Sequence, residues 1–397
     1  MELLATLSDP IRTLLKRYSF KEIEEFYNPN MMFDAVHLLS LFDSESYENE
    51  ELGSLVIHPL ESKYPVRKAK NRFLTAARML RNISRGIMKG IKIVEGHNID
   101  IIRNKNVHEI GLMGTLISKE TQKPLVQSIH GDFDTELLLT KNFFVYYYKH
   151  LLEIYNMKNA TKVIGISRYL VEYAKRHGAK SVSYIPNPVD ISPFLEKQSR
   201  HVLAQTKEKL GIAGKRVLLN VSRYSSKEKN VKRLLIAFSK LPEKLRKDWV
   251  LLIVGDGGGM EVEYRNFVAK LKIDNDVRFA GVIPHRRIPI FYQLADIFVF
   301  PSLTEGCPFA LIEALPAGLP ILTSTHPVPM EYVDETNGVI VNPYDIGEIR
   351  KGIEFLMGLS EKERANMENA SRRKAMEYDR KIAFEKEANL YSTLVRR

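Results

Sequence analysis

The sequence has little cysteine and lacks a long apolar run. Of its 397 residues only Cys307 is a cysteine, so no disulfide can form within the chain, and a cytoplasmic location is expected. No apolar run approaches the roughly 18 residues that a membrane-spanning helix needs. Glu2, Asp9 and Arg12 interrupt the stretch in which a secretion signal would need an unbroken apolar core, so secretion is not expected. Cys307 could act as a nucleophile, but the neighbouring sequence offers no base to activate it.

Composition and periodicity predict a two-domain α/β protein. Hydrophobic residues make up 44% of the chain and charged residues 27%, which is typical of a globular protein. Strand-like runs alternate with amphipathic helical patterns, which predicts parallel sheets with crossover helices. The polar segment Phe194–Gly214 places a boundary between domains 1–198 and 199–374, and a C-terminal helix over about 375–397 is expected to pack back on the first domain. The clearest predicted strands are Ala35–Ser40, Ile99–Arg103, Pro124–Ile129, Val163–Ser167, Val217–Val221, Trp249–Gly255, Val277–Ala280 and Ile297–Phe300.

One short run of the second half predicts an anion site. A buried strand is predicted over Asp296–Pro301, Gly306 and Cys307 turn the chain, and a helix is expected to open at Pro308. Backbone N–H groups in the first turn of a helix are unpaired and attract anions such as a phosphate. Here these would be the N–H groups of Phe309, Ala310 and Leu311.

Two carboxylates in the same run point to a ligand that is rich in hydroxyl groups. A carboxylate repels a phosphate but accepts hydrogen bonds from hydroxyls. Glu305 could therefore hold the hydroxyls of a hexose, and Glu313, eight positions later, those of a ribose. Together with the phosphate-binding N–H groups, this describes a nucleotide sugar. The alternative is that Glu313 is a surface residue and Glu305 a charge favoured by the helix dipole.

Cationic side chains follow another predicted strand of the second half. Arg223 and Lys229 come after Val217–Val221, at a strand end where they could bind a diphosphate. Fixed cations at that point would stabilise the charge that builds on a departing diphosphate. The alternative is that they are solvated loop charges. Because ligands of parallel sheets bind beyond the carboxyl ends of the strands, further candidates are His130, Ser167, Asn187 and Gly255.

With these residues assembled, the chain resembles the retaining glycosyltransferases of family 4, which have the GT-B architecture of two facing Rossmann-like domains. The resemblance runs from about Ile99 to the carboxyl terminus. The motifs that carry it are Pro124–Gly131, Val163–Ser167, Ile185–Asp190, Arg223 with Lys229–Val231, Phe279–Gly281, and Glu305 with Glu313.

The resemblance implies a role for each matching residue. It implies that Arg223 and Lys229 bind the donor diphosphate, that Glu305 binds the donor sugar, and that Glu313 binds the ribose. It places Val282 and Ile283 near the base and His130 beside the transferring sugar, although a lone histidine is more often structural. Three departures are visible: Arg223 and Lys229 are one residue further apart than is commonest, Pro316 is expected to end the helix near Leu315, and the amino-terminal region lacks a Gly-rich turn.

The reaction implied is transfer of a sugar from a nucleotide diphosphate sugar to a lipid-linked, polysaccharide or other glycan acceptor, without a metal or other cofactor. Because Glu305 is assigned to hydroxyls, no good carboxylate nucleophile is left, which favours front-face transfer with retention. The run Asp132-Phe133-Asp134 matches a metal motif of a different architecture, but two acids in a loop are usually solvated. Two other functions stay open: a nucleotide-sugar epimerase and a catalytically silent scaffold.

A basic stretch lies in the first half of the chain. Ten Lys or Arg and no acidic residue occur between Lys63 and Lys92, against a net charge of +11 for the whole chain. A basic amphipathic helix could rest on the inner face of an anionic membrane or gather an anionic acceptor. The alternative is the solvated basic face of a packed helix. Nucleic acid binding is not expected, because no nucleic-acid module is recognisable. The apolar positions at helical spacing are Phe73, Ala76, Ala77, Leu80, Ile83 and Ile87, and the basic residues among them are Arg72, Arg78, Arg81, Arg85 and Lys89.

Overall fold

The computed structural model describes residues 1–7, 10–17, 19–41, 50–60, 72–132 and 143–395. It confirms the α/β fold and divides the chain into two compact units. The first unit comprises Met1–Pro188 and Lys381–Arg397, and the second comprises Val189–Arg380. Residues 189–198 therefore lie in the second unit and not in the first domain as expected. Packing explains the difference, since the ring of Phe194 is buried 5.4 Å from that of Tyr292, which belongs to the second unit.

The first unit is built on an eight-stranded sheet. Its order is β3-β4-β2-β1-β5-β6-β7-β8, and all neighbours are parallel except β3 and β4. The strands are β1 Glu2–Leu7, β2 Ala35–Ser40, β3 Glu50–Leu52, β4 Leu55–His58, β5 Ile99–Asn104, β6 Leu125–Ile129, β7 Lys162–Gly165 and β8 Val182–Tyr184. The described helices are Ile11–Arg17, Phe20–Tyr27, Arg72–Gly96, Glu109–Thr121, Phe143–Asn159, Arg168–Arg176 and the final helix Arg380–Val395.

The final helix contributes to the core of the first unit. Ala383, Leu390 and Tyr391 are buried in the same apolar cluster as Leu3 and Ile101 of the sheet. The helix begins at Arg380 and not at about residue 375 as expected, and residues 375–379 belong to the second unit. The chain thus leaves the first unit after Pro188 and returns to it at Lys381.

The second unit contains a six-stranded, fully parallel sheet. Its order is β11-β10-β9-β12-β13-β14, so the chain runs outward from β9 in one direction and then from β12 in the other. In doubly wound sheets the ligand binds where this direction reverses, beyond the carboxyl ends of β9 and β12. The strands are β9 Arg216–Val221, β10 Trp249–Val254, β11 Val277–Gly281, β12 Ile297–Phe300, β13 Ile321–Ser324 and β14 Gly338–Val341. The helices are Ser192–Leu195, Arg200–Lys209, Val231–Ser239, Glu243–Arg246, Glu261–Lys270, Ile288–Gln293, Phe309–Ala317, Ile346–Met357 and Glu361–Ala375.

Two helices differ from expectation. The helix Phe309–Ala317 continues through Pro316, and Gly318 ends it in the left-handed conformation at φ 75°. A proline in the last turn removes one N–H but leaves the earlier turns intact, which explains why the helix does not end at Leu315.

The basic helix Arg72–Gly96 packs through glycines and not through the whole predicted apolar face. A Cβ at Gly86 would lie 2.3 Å from Met113, and one at Gly90 would lie 2.3 Å from Ile117, so this face approaches the helix Glu109–Thr121 closely. Of the predicted apolar positions Ile83 is buried, whereas Leu80 is 62% exposed. Among the described residues, no helix is both long and apolar enough to cross a membrane.

Candidate active site

The strand ends at the reversal point of the second unit are joined by a buried amide. Leu218 and Leu219 of β9 are paired with Ile297 and Phe298 of β12. Asn220, the next residue of β9, contacts β12 through its side chain, because its Nδ2 donates a hydrogen bond to the Val299 carbonyl at 2.7 Å. This hydrogen bond holds together the two strand ends from which the loops after β9 and β12 begin.

A second asparagine fixes the loop that carries Lys229. Asn230 has a left-handed backbone, at φ 58°, and its Nδ2 donates to the carbonyls of Pro301 and Pro343 at 2.9 and 2.7 Å. The N–H of Leu303 also donates to the carbonyl of Glu228 at 2.7 Å. These bonds join the loop after β9 to the loop after β12. Asn230 was not among the residues predicted from the sequence, although asparagine is enriched in this conformation.

Lys229 and Glu305 form an ion pair where these loops meet. The Lys229 Nζ lies 2.6 Å from the Glu305 Oε1, and the Glu305 side chain is 5% exposed. Burial raises the pKa of the Glu305 carboxyl, and the neighbouring ammonium opposes that rise. An ammonium has three N–H donors, so Lys229 keeps two for a further acceptor such as a phosphate. The structure thus brings together two residues that the sequence analysis assigned to one ligand.

Arg223 lies on the same loop, at its solvent-exposed side. Its carbonyl accepts a hydrogen bond from the N–H of Ser226 at 2.9 Å, which closes a turn directly after β9. A hydrogen bond from the Ser226 hydroxyl lowers the pKa of Glu228, and the charges of Lys229 and Arg223 lower it further. Arg223 therefore contributes positive charge to this loop while its guanidinium faces solvent.

The end of β10 comes very close to the same loop. Gly255 has φ 135°, and a Cβ at this position would lie 2.0 Å from the Ser222 carbonyl oxygen. Only glycine satisfies both conditions. Gly255 therefore lets the backbones after β9 and β10 approach each other, and its contribution is steric.

The turn before the helix Phe309–Ala317 differs in part from the predicted anion site. The N–H of Phe309 donates to the Cys307 carbonyl at 3.0 Å, and the N–H of Leu311 donates to the Pro308 carbonyl at 2.9 Å. The prediction that these two groups are unpaired is wrong, because a tight first turn supplies acceptors within the chain. The Leu311 side chain is fully buried, Phe309 is 47% exposed, and Gly306, Cys307 and Ala310 are half-buried.

Glu313 is held by two residues that the sequence analysis missed. The Tyr292 hydroxyl donates to the Glu313 Oε2 at 2.8 Å, and the His285 Nε2 lies 3.3 Å from the Oε1. Burial raises the pKa of Tyr292 well above its ordinary value, and the Glu313 charge adds to that rise, so the hydroxyl stays protonated and donating. Glu313 is largely buried and is not a free surface residue.

The residues predicted to lie near the base belong to the segment that leads to His285. Val282 is 72% exposed and Ile283 half-buried, directly after the left-handed Gly281 at the end of β11. Since His285 contacts Glu313, this segment and Glu313 are neighbours in the fold.

In the first unit, His130 and Ser167 have different surroundings. His130 is exposed directly after β6. The hydroxyl of Ser167 accepts a hydrogen bond from the N–H of Leu170 at 3.2 Å, which caps the helix Arg168–Arg176. Ser167 is thus structural. Asn187 is half-buried beside Pro188, the residue at which the first unit's first segment ends.

A buried charge network at the end of β5 was also missed. The Arg103 Nε lies 3.0 Å from the Glu387 Oε1 and 2.8 Å from the Tyr391 hydroxyl, and an Arg103 terminal nitrogen donates to the Ser128 hydroxyl at 2.7 Å. Burial lowers the pKa of Lys105, two residues further on, to about 7. Arg103, a charged residue in the apolar strand β5, was the feature of the sequence that could have indicated this network. Its partners Glu387 and Tyr391 could not be predicted, because they lie on the final helix, far along the chain.

The remaining predicted residues lie in or near the first unit's helices. Arg81 is exposed, while Arg78 and Arg85 are half-buried. The side chain of Arg72 lies outside the described part of the structure. Asp132 accepts a hydrogen bond from the Tyr169 hydroxyl, and Phe133 and Asp134 lie outside the described residues.

The fold and the candidate site together define the class of protein. Each unit is a Rossmann-like domain, and the whole chain has the GT-B architecture of glycosyltransferases. Anabaena Alr3699/HepE, solved in complex with UDP, is 17% identical with a TM-score of 0.74, over 99% of this chain and 100% of that one. A glycosyltransferase from Rickettsia africae is also 17% identical with a TM-score of 0.74, over 100% and 99%.

Sequence comparison gives the family. The family model "Glycosyltransferase Family 4" matches residues 34–193, and "Glycosyl transferases group 1" matches residues 204–374. The chain belongs to glycosyltransferase family 4, as its motifs predict.

Curated relatives of the chain are glycosyltransferases. The α-monoglucosyldiacylglycerol synthase of Streptococcus pneumoniae is 25% identical over 255 residues, which cover 61% of this chain and 56% of that enzyme. The Escherichia coli UDP-Gal:α-D-GlcNAc-diphosphoundecaprenol α-1,3-galactosyltransferase is 26% identical over 278 residues, 67% of this chain and 68% of that one. The chain thus spans little more than half the length of the first of these relatives.

Proposed function

We propose that this protein transfers a sugar from a nucleotide diphosphate sugar to a lipid-linked or glycan acceptor, and that the donor binds at the reversal point of the second unit. The observation that carries the proposal is the ion pair of Lys229 with Glu305, 2.6 Å apart where the loops after β9 and β12 meet. Lys229 and Arg223 supply positive charge for a diphosphate, and Glu305 and Glu313 supply acceptors for hydroxyls. The known structure of HepE with UDP supports a nucleotide donor.

We further propose that transfer proceeds with retention and needs no metal at the donor site. Glu305 accepts a hydrogen bond from Lys229 and is therefore poorly suited to attack the anomeric carbon. In the front-face step, the bond from the anomeric carbon to the phosphate oxygen breaks and the acceptor oxygen bonds to the same face. The acceptor proton passes to the departing phosphate, whose charge Lys229 and Arg223 stabilise. A product of inverted anomeric configuration would contradict this mechanism.

One curated relative is named for a diacylglycerol and the other for a diphosphoundecaprenol. Both names support a lipid or lipid-linked acceptor for this chain.

A nucleotide-sugar screen tests the donor. We expect one member of a series of UDP, GDP and ADP sugars to raise the melting temperature of the protein. Glu313→Gln should weaken binding of that donor by about 10-fold or more, because an accepted hydrogen bond to a charged group is worth about 1.5–3 kcal/mol. The hydroxyl of Tyr292 can still donate to the amide oxygen, so the variant should fold.

The matched control for the donor screen is Glu335→Gln, an exposed glutamate of the same unit. It should bind the donor with the affinity of the wild type. A wild-type protein that none of these nucleotide sugars stabilises would overturn the proposed donor class.

We also propose that the first unit rests on an anionic membrane surface. Arg81 on the helix Arg72–Gly96 is flanked by Leu80 and Met88, which are 62% and 56% exposed. The helix Phe143–Asn159 adds Tyr147, 55% exposed, and both helices pack on Glu109–Thr121. Exposed apolar and aromatic side chains beside basic ones are typical of helices that lie at a membrane interface.

Charge reversal tests the membrane proposal. We expect the triple variant Arg78→Glu, Arg81→Glu, Arg85→Glu to bind phosphatidylglycerol vesicles at least about 100-fold more weakly, since each basic residue near an anionic surface contributes about 1 kcal/mol. Flotation or sedimentation with vesicles measures this, and circular dichroism checks the fold. Reversing exposed Arg200, Lys209 and Lys270 of the second unit makes the same change in net charge and should have little effect. Equal loss in both triple variants would show that only net charge matters.

A further inference from the structure

Three histidines of the first unit lie close together, and none of them belongs to the candidate donor site of the second unit. His37 lies within β2, His58 is the last residue of β4, and His97 directly follows the helix Arg72–Gly96. The Nδ1 of His37 is 2.8 Å from the Nε2 of His58, and the rings of His37 and His97 are 4.3 Å apart. One nitrogen from each of the three rings lies within 4.8 Å of the others.

The fold holds each histidine from a different element. β2 and β4 are parallel, with Leu39 opposite His58, so that His37 and His58 project from the same face of the sheet. The N–H of His97 donates to the Ile93 carbonyl at 3.0 Å, which ties its backbone to the end of the helix. The convergence therefore depends on the tertiary fold.

A carboxylate lies behind one of the rings. The Oε2 of Glu2 is 3.3 Å from the Nε2 of His37, on the side of the ring opposite His58. Both atoms are buried, so the carboxylate and the ring nitrogen face each other away from solvent. A carboxylate on the second nitrogen of an imidazole is the usual support of a histidine that binds a metal through its first nitrogen.

We propose that His37, His58 and His97 bind a divalent transition metal such as zinc, with Glu2 orienting the His37 ring. Imidazole nitrogens suit zinc, copper and nickel. Zinc–nitrogen bonds of about 2.0–2.1 Å place tetrahedral ligand nitrogens about 3.3 Å apart, so small ring movements suffice. His37 and His58 are buried while His97 is exposed, which leaves a path for the ion and a fourth position for water.

Bound metal would link β2, β4 and the end of the helix Arg72–Gly96. It would therefore stabilise the first unit in proportion to the free metal concentration.

Metal titration of the full-length protein, purified without a histidine tag and treated with a chelator, tests the proposal. We expect calorimetry to show one equivalent of bound zinc, and cobalt to give the visible absorption of a tetrahedral site. Glu2→Gln should weaken zinc binding by about 10- to 100-fold, and His97→Ala should weaken it more. Zinc should also raise the melting temperature of the wild type but not that of His97→Ala.

His97→Ala is the decisive variant, because its side chain is exposed and its removal should leave the metal-free melting temperature unchanged. The matched control is His201→Ala, an exposed histidine of the second unit, which should bind zinc like the wild type. A wild-type protein that binds no stoichiometric zinc, or a His97→Ala variant of equal affinity, would overturn the proposal. In either case His37 and His58 would be a hydrogen-bonded pair of buried histidines.

Discussion

Replacing Lys229 with methionine is expected to lower kcat by about 100- to 1000-fold, the usual cost of removing one fixed donor from a developing negative charge. Lys229 lies where the loops after β9 and β12 meet, and its ammonium is 2.6 Å from Glu305. In the proposed reaction its two remaining N–H donors face the departing diphosphate. Release of nucleoside diphosphate from the donor that the thermal-shift screen selects measures the effect.

Stability must be separated from chemistry in this experiment, because Lys229→Met leaves the buried Glu305 without its cation. The double variant Lys229→Met, Glu305→Gln removes both charges, and we expect it to regain stability while remaining inactive. Lys232→Met is the matched control, since Lys232 is exposed on the next helix and pairs with Glu263. It should keep wild-type activity. A folded Lys229→Met protein with the kcat of the wild type would contradict the assigned role.

Replacing Arg103 with methionine is expected to destabilise the first unit by about 3–5 kcal/mol, the usual cost of breaking a buried ion pair from one side. Arg103 is 4% exposed, and its loss leaves the buried Glu387 carboxylate without its guanidinium partner, although the Tyr391 hydroxyl still donates to it. Because a two-domain protein need not unfold in one step, hydrogen exchange is the better measurement. The helix Arg380–Val395 should lose protection, while the helix Ile346–Met357 of the second unit should not.

A second substitution and a pH series complete the test of the buried network. Arg103→Met with Glu387→Gln should recover most of the lost stability, because no unpaired carboxylate remains. Lys175→Met breaks an exposed pair with Glu172 in the same unit and should cost less than about 1 kcal/mol. Full protection of the final helix in the single variant Arg103→Met would contradict the role of the network.

The pH dependence of this network has a definite sign. Burial alone would raise the pKa of Glu387, but the charges of Lys105 and Arg103 hold it below its ordinary value. The unfolded state therefore binds more protons in acid, so the stabilisation is present above the ordinary pKa of a glutamate and is lost as the pH falls through the folded value. The double variant should lack this acid sensitivity.

Much of the fold could be predicted from the sequence, because apolar strands alternate with amphipathic helices. All eight predicted strands are strands in the structure, with bounds that differ by at most two residues. Glu2–Leu7 was missed although it lies between β2 and β5 in the sheet, since its leucines and alanine suit a helix as well as a strand. The predicted extent of the packed face of the basic helix Arg72–Gly96 was also wrong. Gly86 and Gly90 lie on that face, but glycine does not add to a pattern of hydrophobic residues in the sequence.

The part of the candidate site that could be predicted consists of polar residues that directly follow strand ends. Lys229 and Glu305 were assigned to one ligand from their positions after β9 and β12, and the structure pairs them. The Tyr292 and His285 contacts to Glu313 could not be predicted, because they depend on side chains that meet only in the folded unit. The paired N–H groups of Phe309 and Leu311 depend on the local turn geometry, which the residue types do not specify.

The return of the chain to its first unit affects the order in which the protein is completed during translation. Domains generally fold as they leave the ribosome, amino-terminal part first. Here the second unit, Val189–Arg380, is one continuous segment, whereas the first needs Lys381–Arg397 as well. Arg103 therefore has no counter-ion until Glu387 has been synthesised, so the domain begun first is finished last.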